Sequence, residues 1–277
     1  MLELVVQERQ RLKEFTENHY AQGSFYFSQL LKKKDIKVNG KKTGEDILLE
    51  KGDRVAYYLT AKQEEKPAYH TVYEDENILV ADKESGVNSE AVFAALQRRG
   101  DYYFVHRLDR NTKGLLVFAK RSNAYEHLLT AFRERTVEKI YHALCFGAFE
   151  SPNEAATAYL KKDGENALVK IYDAPVYGAE KIVTEYRVLS IEKGLTKAEI
   201  VLHTGKTHQI RAHMAHLSHP LVGDMKYGDA AKNRALGVNR QCLVAKSLRF
   251  SFEGELSYLN GKTFLSRFEA ELPRKSE

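Results

Sequence analysis

Apolar and polar positions alternate with the two-residue period of a half-buried strand in several stretches of this 277-residue chain. KIYHALCFGAF (139–149), TEYRVLSI (184–191) and TKAEIVLHT (196–204) are such stretches, and QCLVAKSLRFSF (241–252) reads as a late strand. TVYEDENILVADKESG (71–86) holds two short strand-like runs separated by Asp75, Glu76 and Asn77. Helical spacing occurs between them. RLKEFTENHY (11–20) places Leu12 and Phe15 on one side, and Ser24 reads as the N-cap of a second helix with Phe27, Leu30 and Leu31 inward. Asn88 or Ser89 can cap a helix reaching about Arg99, Ser122 another, and THQIRAHMAHL (207–217) a third, with Thr207 at or near its start. Ile36 and Val38 alternate with lysine ahead of Asn39-Gly40, a favoured hairpin turn. A further turn at Lys51-Gly52-Asp53 and a strand close this first unit.

The spacing divides the chain into a compact unit over 1–60, a linker over 61–70 that contains Pro67 and has no apolar period, and a larger domain over 71–277. Sheet segments with helices inserted irregularly predict the α+β class, not a regular βαβ repeat.

Composition narrows the class without naming it. With 43% hydrophobic and 29% charged residues the chain is an ordinary globular one. No apolar run approaches the roughly 20 residues that span a bilayer. The start lacks a basic stretch followed by an apolar one, so a cytoplasmic protein with no membrane contact is expected. Cys145 and Cys242 each sit in a strand-like run, which fits buried thiols better than a disulfide or a metal site. The net charge of +5 is mild, but LKKKDIKVNGKK (31–42) gathers Lys32, Lys33, Lys34, Lys37, Lys41 and Lys42 against Asp35 alone. Most lysine runs are merely solvated; these flank a turn on one small module, a surface suited to phosphates.

Three islands could carry chemistry. HRLDRNTKG (106–114) surrounds Asp109 with cations, which keeps a carboxylate ionised and suits it to nucleophilic work. Taken alone, it reads better as a surface Asp–Arg connection. Lys139 and Tyr141 are two apart on a strand and so share a face; alone, Tyr141 is an ordinary half-buried tyrosine. GKTHQIRAHMAHLSHPLVGDMKYG (205–228) puts His208 and Arg211 one helical turn apart. Its histidines, with His203 just before, invite a metal reading. That reading ranks second: the HExxH and CxxC signatures are absent, the histidines read as having no acids interleaved, and Lys206 and Arg211 would repel a cation.

In order and spacing, HRLDRNTKGLLVFAK, EKIYHALCFG and GKTHQIRAHMAHLSHPLVGDMKYG resemble the three signature motifs of RluA-type pseudouridine synthases. TVYEDENILVADKESG resembles the opening strands of the same domain, and residues 1–60 resemble the αL RNA-binding module found in a small-subunit ribosomal protein. The resemblance implies a pseudouridine synthase domain with a central, mostly antiparallel mixed sheet flanked by helices and loops, preceded by a small αL-type RNA-binding domain. It implies Asp109 as the catalytic aspartate, Tyr141 stacked on the target base, and Arg211 paired with Asp109. Arg107 would fill the space left by an everted nucleotide. His106, Lys206, His208 and the hairpin lysines Lys32, Lys34, Lys41 and Lys42 would meet RNA. Lys113, Lys206 and Glu84 depart from the serine, arginine and proline the family often carries at those positions.

The reaction so implied moves uracil from an N1 to a C5 link on the same ribose, with nothing oxidised and no cofactor. The carboxylate could attack C1′ or C6, or assist elimination. Val117, Ile140 and Leu202 are candidates to line the pocket, and the target base must leave its stack to be reached. The implied partner is RNA, ribosomal RNA before transfer RNA, acted on by a monomer. The rival readings are a non-catalytic RNA-binding ribosome-assembly factor and a metal-dependent hydrolase built on the histidines.

Overall fold

The structure, a computed structural model, describes residues 1–164 and 168–273. Leu12, Phe15, Phe27 and Leu30 do turn inward, onto a small sheet, and with Ile36, Val55 and Tyr57 they form a core of their own. The elements of this part are β1 (Leu2–Val5), β2 (Gln10–Arg11), α1 (Leu12–His19), α2 (Ala21–Lys33), β3 (Ile36–Val38), β4 (Lys41–Thr43), β5 (Leu48–Leu49) and β6 (Arg54–Tyr57). The four-stranded sheet runs β1-β6-β3-β4, while β2 and β5 make a separate two-stranded ribbon. Asn39 and Gly40 both have positive φ (48° and 79°), as the tight turn between β3 and β4 demands.

Two expectations fail here for local reasons. Ser24 does not cap α2: the helix begins at Ala21 after an extended Tyr20, and Ser24 lies buried inside it, its hydroxyl donating to Thr16 O at 3.4 Å. The corner between α1 and α2 is tight because Gly23 has no side chain; a Cβ there would stand 2.6 Å from the Tyr20 ring. The stretch read as a linker contains α3 (Ala61–Glu64), fixed by a reciprocal capping box between Thr60 and Gln63. Tyr20 Oη donates to Glu64 at 2.5 Å and Gln22 Nε2 to Lys66 O at 3.1 Å, so this stretch is tied to α2.

The larger part comprises β7 (Tyr69–Glu74), β8 (Ile78–Lys83), α4 (Ser89–Gln97), β9 (Tyr103–Phe104), β10 (Lys113–Ala119), α5 (Ser122–Glu134), β11 (Glu138–Phe146), β12 (Asn153–Asp163), β13 (Leu168–Tyr172), β14 (Glu180–Glu192), β15 (Leu195–Leu202), α6 (Gln209–His216), α7 (Ala230–Leu236), β16 (Leu243–Arg249) and β17 (Thr263–Leu265). Its sheet runs β13-β12-β14-β15-β11-β16-β10-β8-β7, with β17 on β16 and β9 on β10. Among the described residues every pairing in it is antiparallel except β10 with β16, which are parallel. The fold is thus α+β around a mixed, mostly antiparallel sheet.

Alternation along β10 divides the core. Leu115, Val117 and Ala119 face α5 with Leu128 and Phe250, whereas Leu116 and Phe118 face α4 with Val92 and Leu96. Tyr141 and Leu108 lie on the α4 side. Val117 is therefore on the face away from Leu108 and Tyr141 and lines no pocket there, whereas at Ile140 and Tyr141 the pairing of β11 with β16 shifts register, so alternation alone does not set the face of Ile140. Leu202 and Tyr141 pack against the same apolar cluster.

Candidate active site

Asp109 sits in the connection between β9 and β10, at the seam where β10 meets β16. Its neighbours fix the loop on both sides. The Ser89 hydroxyl, at the start of α4, accepts from Leu108 N at 2.9 Å and donates to Leu108 O at 3.1 Å. Asp109 O accepts from Thr112 N at 3.0 Å, closing a turn, and Gln241 Nε2 holds the Thr112 hydroxyl at 3.1 Å. Lys83 is buried beneath, with Nζ donating to the carbonyls of Glu84 and Val87 at 2.9 Å and of Arg110 at 3.1 Å. Burial pulls its pKa down to about 7, with the charges of Asp109 and Glu84 opposing.

Arg211, on α6, reaches this loop from a residue 102 positions later: Nη1 donates to Asp109 Oδ2 at 2.9 Å. The same guanidinium grips Asp224 with two bonds, Nε to Oδ2 at 2.7 Å and Nη2 to Oδ1 at 2.9 Å. Asp224 is fully buried, and its Oδ1 also accepts the amides of Lys226 at 2.8 Å and Tyr227 at 3.1 Å. Burial alone would lower the pKa of Arg211, but its two carboxylates hold it above the ordinary range. Burial likewise works against ionised Asp224, and the hydrogen bonds and charge of Arg211 override it, leaving the carboxyl below its usual value. The result is a carboxylate–arginine–carboxylate chain with its inner end locked and its outer end, Asp109, a quarter exposed.

The helix carrying Arg211 is anchored by Gln209, whose amide donates to Val183 O at 3.1 Å and the Thr184 hydroxyl at 3.0 Å and accepts from Thr204 at 2.9 Å. His208 enters the helix with φ of 57°. Its Nδ1 meets the Tyr227 hydroxyl at 2.9 Å, and Nε2 stands 3.9 Å from Asp109 Oδ2. Val169 N donates to the same Tyr227 oxygen at 2.9 Å, tying the phenol that meets His208 to β13. The Tyr227 ring lies 5.3 Å from the Arg211 guanidinium.

Tyr141, on β11, is half-buried where two apolar clusters meet, one containing Leu108 and Leu116 and the other flanked by Leu202. Burial, reinforced by the charge of Asp109, raises its pKa, so at neutral pH it is a phenol. Among the described residues its hydroxyl has no hydrogen-bond partner. Lys139 goes elsewhere: its ammonium lies 5.4 Å over the Phe132 ring on α5.

The remaining candidates are placed as follows. Arg107 is mostly exposed and pairs with Glu90 at 3.1 Å. His106 stacks on Phe132 with ring centroids 4.4 Å apart, and its Nε2 accepts from Val117 N at 3.1 Å; burial drives its pKa down to about 3, so it is a neutral pin for the strand end. Lys206 pairs with Glu180. Lys32, Lys34, Lys41 and Lys42 are exposed on the N-terminal sheet unit, apart from the group around Asp109, and none makes an ion pair among the described residues. Of the departures, Lys113 lies 4.9 Å over Phe268 and Glu84 pairs with His70 at 3.3 Å.

The histidines disperse. His203 meets Glu185 at 2.7 Å, His216 Asp173 at 2.6 Å, His213 Thr184 at 2.9 Å and His219 Phe146 O at 3.3 Å. Among the described residues no three His, Cys, Asp or Glu side chains converge as a metal ion would require.

Sequence reasoning missed Asp224, Tyr227, Ser89 and Lys83. Asp224 is visible as the lone acid in the basic third island, but it follows the last histidine there and only the structure shows it buried against Arg211.

Residues 32–216 match the model of the RNA pseudouridylate synthase family. The chain is 31% identical over 251 residues to the ribosomal large subunit pseudouridine synthase C of Vibrio cholerae, covering 80% of this chain and 78% of that protein. It is 34% identical over 207 residues to the synthase D of Blochmanniella floridana, covering 64% and 63%. Among solved structures, human RNA pseudouridylate synthase domain containing 1 superposes with a TM-score of 0.60 at 27% identity, covering 67% of this chain and 79% of that one. Human RNA pseudouridylate synthase domain containing 4 gives 0.58 at 21% identity and likeness of fold alone, covering 74% and 88%.

Proposed function

Because this chain belongs to the RNA pseudouridylate synthase family, and is thus an isomerase acting on uridine in RNA, we propose that Asp109 is its reacting carboxylate. The observation that carries the assignment is the 2.9 Å bond from Arg211 to Asp109, with Arg211 locked by buried Asp224. A guanidinium held at that place offsets the charge of the carboxylate and aims it. Attack at C1′, attack at C6 and removal of a ribose proton all begin from a carboxylate so placed. Tyr141, apolar-walled and protonated, supplies a ring for the everted uracil and a hydroxyl beside C5, from which the last proton must leave. Leu108, Leu116 and Leu202 around it keep water from the detached base. Arg107, exposed and held only by Glu90, has the planar head to occupy the vacated stack.

The substrate is ribosomal RNA of the large subunit, and the site of action the cytoplasm. Relatives named as large-subunit synthases support this, as does the N-terminal unit over 1–60, which we assign as an αL-type RNA-binding module. Pseudouridine mapping on RNA incubated with the protein tests the core claim: wild type forms product and Asp109→Asn forms none. Product from the asparagine variant would remove Asp109 from its role.

A further inference from the structure

Arg110 directly follows Asp109, and its contacts lead out of the catalytic loop. Its carbonyl accepts from Gly86 N at 2.9 Å and from Lys83 Nζ at 3.1 Å, and its Nε donates to Gly86 O at 3.1 Å. These bonds clamp the loop to the 84–87 turn. The rest of the guanidinium crosses to the N-terminal unit: Nη1 pairs with the Glu17 carboxylate on α1, and Nη2 donates to Ser24 O on α2 at 3.4 Å. The Glu17 side chain is 17% exposed and that of Arg110 35%, so the pair is shielded from water more than a surface bridge is.

The same helix is fastened a second time. Asn88 Nδ2 donates to Asn18 Oδ1 at 2.9 Å, and Arg98 Nη2 to His19 O at 2.7 Å. Both donors flank α4, whose Ser89 holds the backbone of Leu108 from the other side of Asp109. Three consecutive residues of α1, Glu17 to His19, are thus engaged with elements that fix the peptide units around Asp109.

We propose that Glu17 and Arg110 are positioning residues for the reaction, through which the N-terminal unit forms part of the catalytic support as well as a grip on RNA. The inference rests on Asp109 being the reacting carboxylate. Glu17 touches no substrate; it acts by orienting Arg110 and hence the loop. Displacement of a reacting group by about 1 Å costs up to roughly a hundredfold in rate, so loosening this clasp is felt in the chemical step.

The test is single-turnover and steady-state kinetics on the full chain with structured ribosomal RNA. Glu17→Gln keeps the shape and removes the charge; its kcat is expected to fall roughly tenfold or more with KM for RNA little changed. Glu17→Asp, which keeps the charge, is expected to recover part of the loss. Should Glu17→Gln fail to fold by circular dichroism, Arg110→Lys carries the same test, since lysine retains the charge but loses the fork to Gly86 and Ser24. Unchanged kcat, or a loss confined to KM, overturns the proposal. Asp109→Asn separates the two levels: activity surviving there removes the underlying reading, whereas an inactive Asp109→Asn beside a fully active Glu17→Gln removes only the clasp.

Discussion

Arg211 carries five N–H donors in a fixed fork and meets two carboxylates with them, Asp224 within the protein and Asp109 at its edge. The inner pair sets the geometry of the outer one. Removing the charge of Asp224 leaves a guanidinium that is 7% exposed with only Asp109 to balance it. Asp224→Asn is therefore expected to cost about 3 kcal/mol at neutral pH, the magnitude for breaking a buried pair from one side. The pH dependence has a definite sign. The native pKa of Asp224 lies below its unfolded value, so its contribution is complete above about 4 and is lost as pH falls through the lowered native value. Urea denaturation of both proteins from neutral pH into the acid range should show the deficit of Asp224→Asn shrinking below pH of about 4. A deficit that stays constant would mean that the pKa of Asp224 is the same in the folded and unfolded chain.

Asp109 and Arg211 are 102 residues apart, and what joins them is the sheet. The parallel contact of β10 with β16 is made at Lys113↔Val244 and Gly114↔Ala245, immediately after the loop that carries Asp109. Gly114 has φ of 111°, and a Cβ on it would stand 2.3 Å from Ala245 O and 2.6 Å from Ala245 N, both backbone atoms. Gly114→Ala cannot be accommodated without parting the two strands. Thermal melts should place it at least about 2 kcal/mol below wild type, and pseudouridine formation should fall with it. An alanine variant of native stability would mean that the seam has slack. Strands β11, β14 and β15 were legible because each repeats its alternation over eight or more residues. Strand β1 was not, being only four residues with none fully buried, nor was the Thr60–Gln63 capping box, hidden in a stretch without apolar period. The third island declared Arg211, but nothing local in GDMKYG says that Asp224 turns inward. That is decided by where α6 packs, and local period carries no information about it.

At the scale of the whole chain, two kinds of positive charge separate by their surroundings. Arg211 and Arg110 are engaged with carboxylates at the core of the larger part and the seam, whereas Lys32, Lys34, Lys41 and Lys42 stand exposed around the Asn39–Gly40 turn without ion-pair partners among the described residues. In the RNA-binding role proposed for them, charges of the second kind act through phosphates by releasing counterions, contributing affinity without choosing a sequence. Replacing these four lysines by glutamine is expected to weaken binding to ribosomal RNA fragments and to unrelated structured RNA alike. The slope of log affinity against log salt should flatten by roughly one unit for each phosphate that is no longer neutralised. Filter binding between low and moderate salt measures both quantities. Because these side chains lie apart from the Glu17–Arg110 pair, the rate at saturating RNA is governed by other residues, and the deficit should show at low RNA concentration. An unchanged affinity with an unchanged salt slope would mean that the N-terminal unit holds no RNA at this surface and serves the catalytic loop alone.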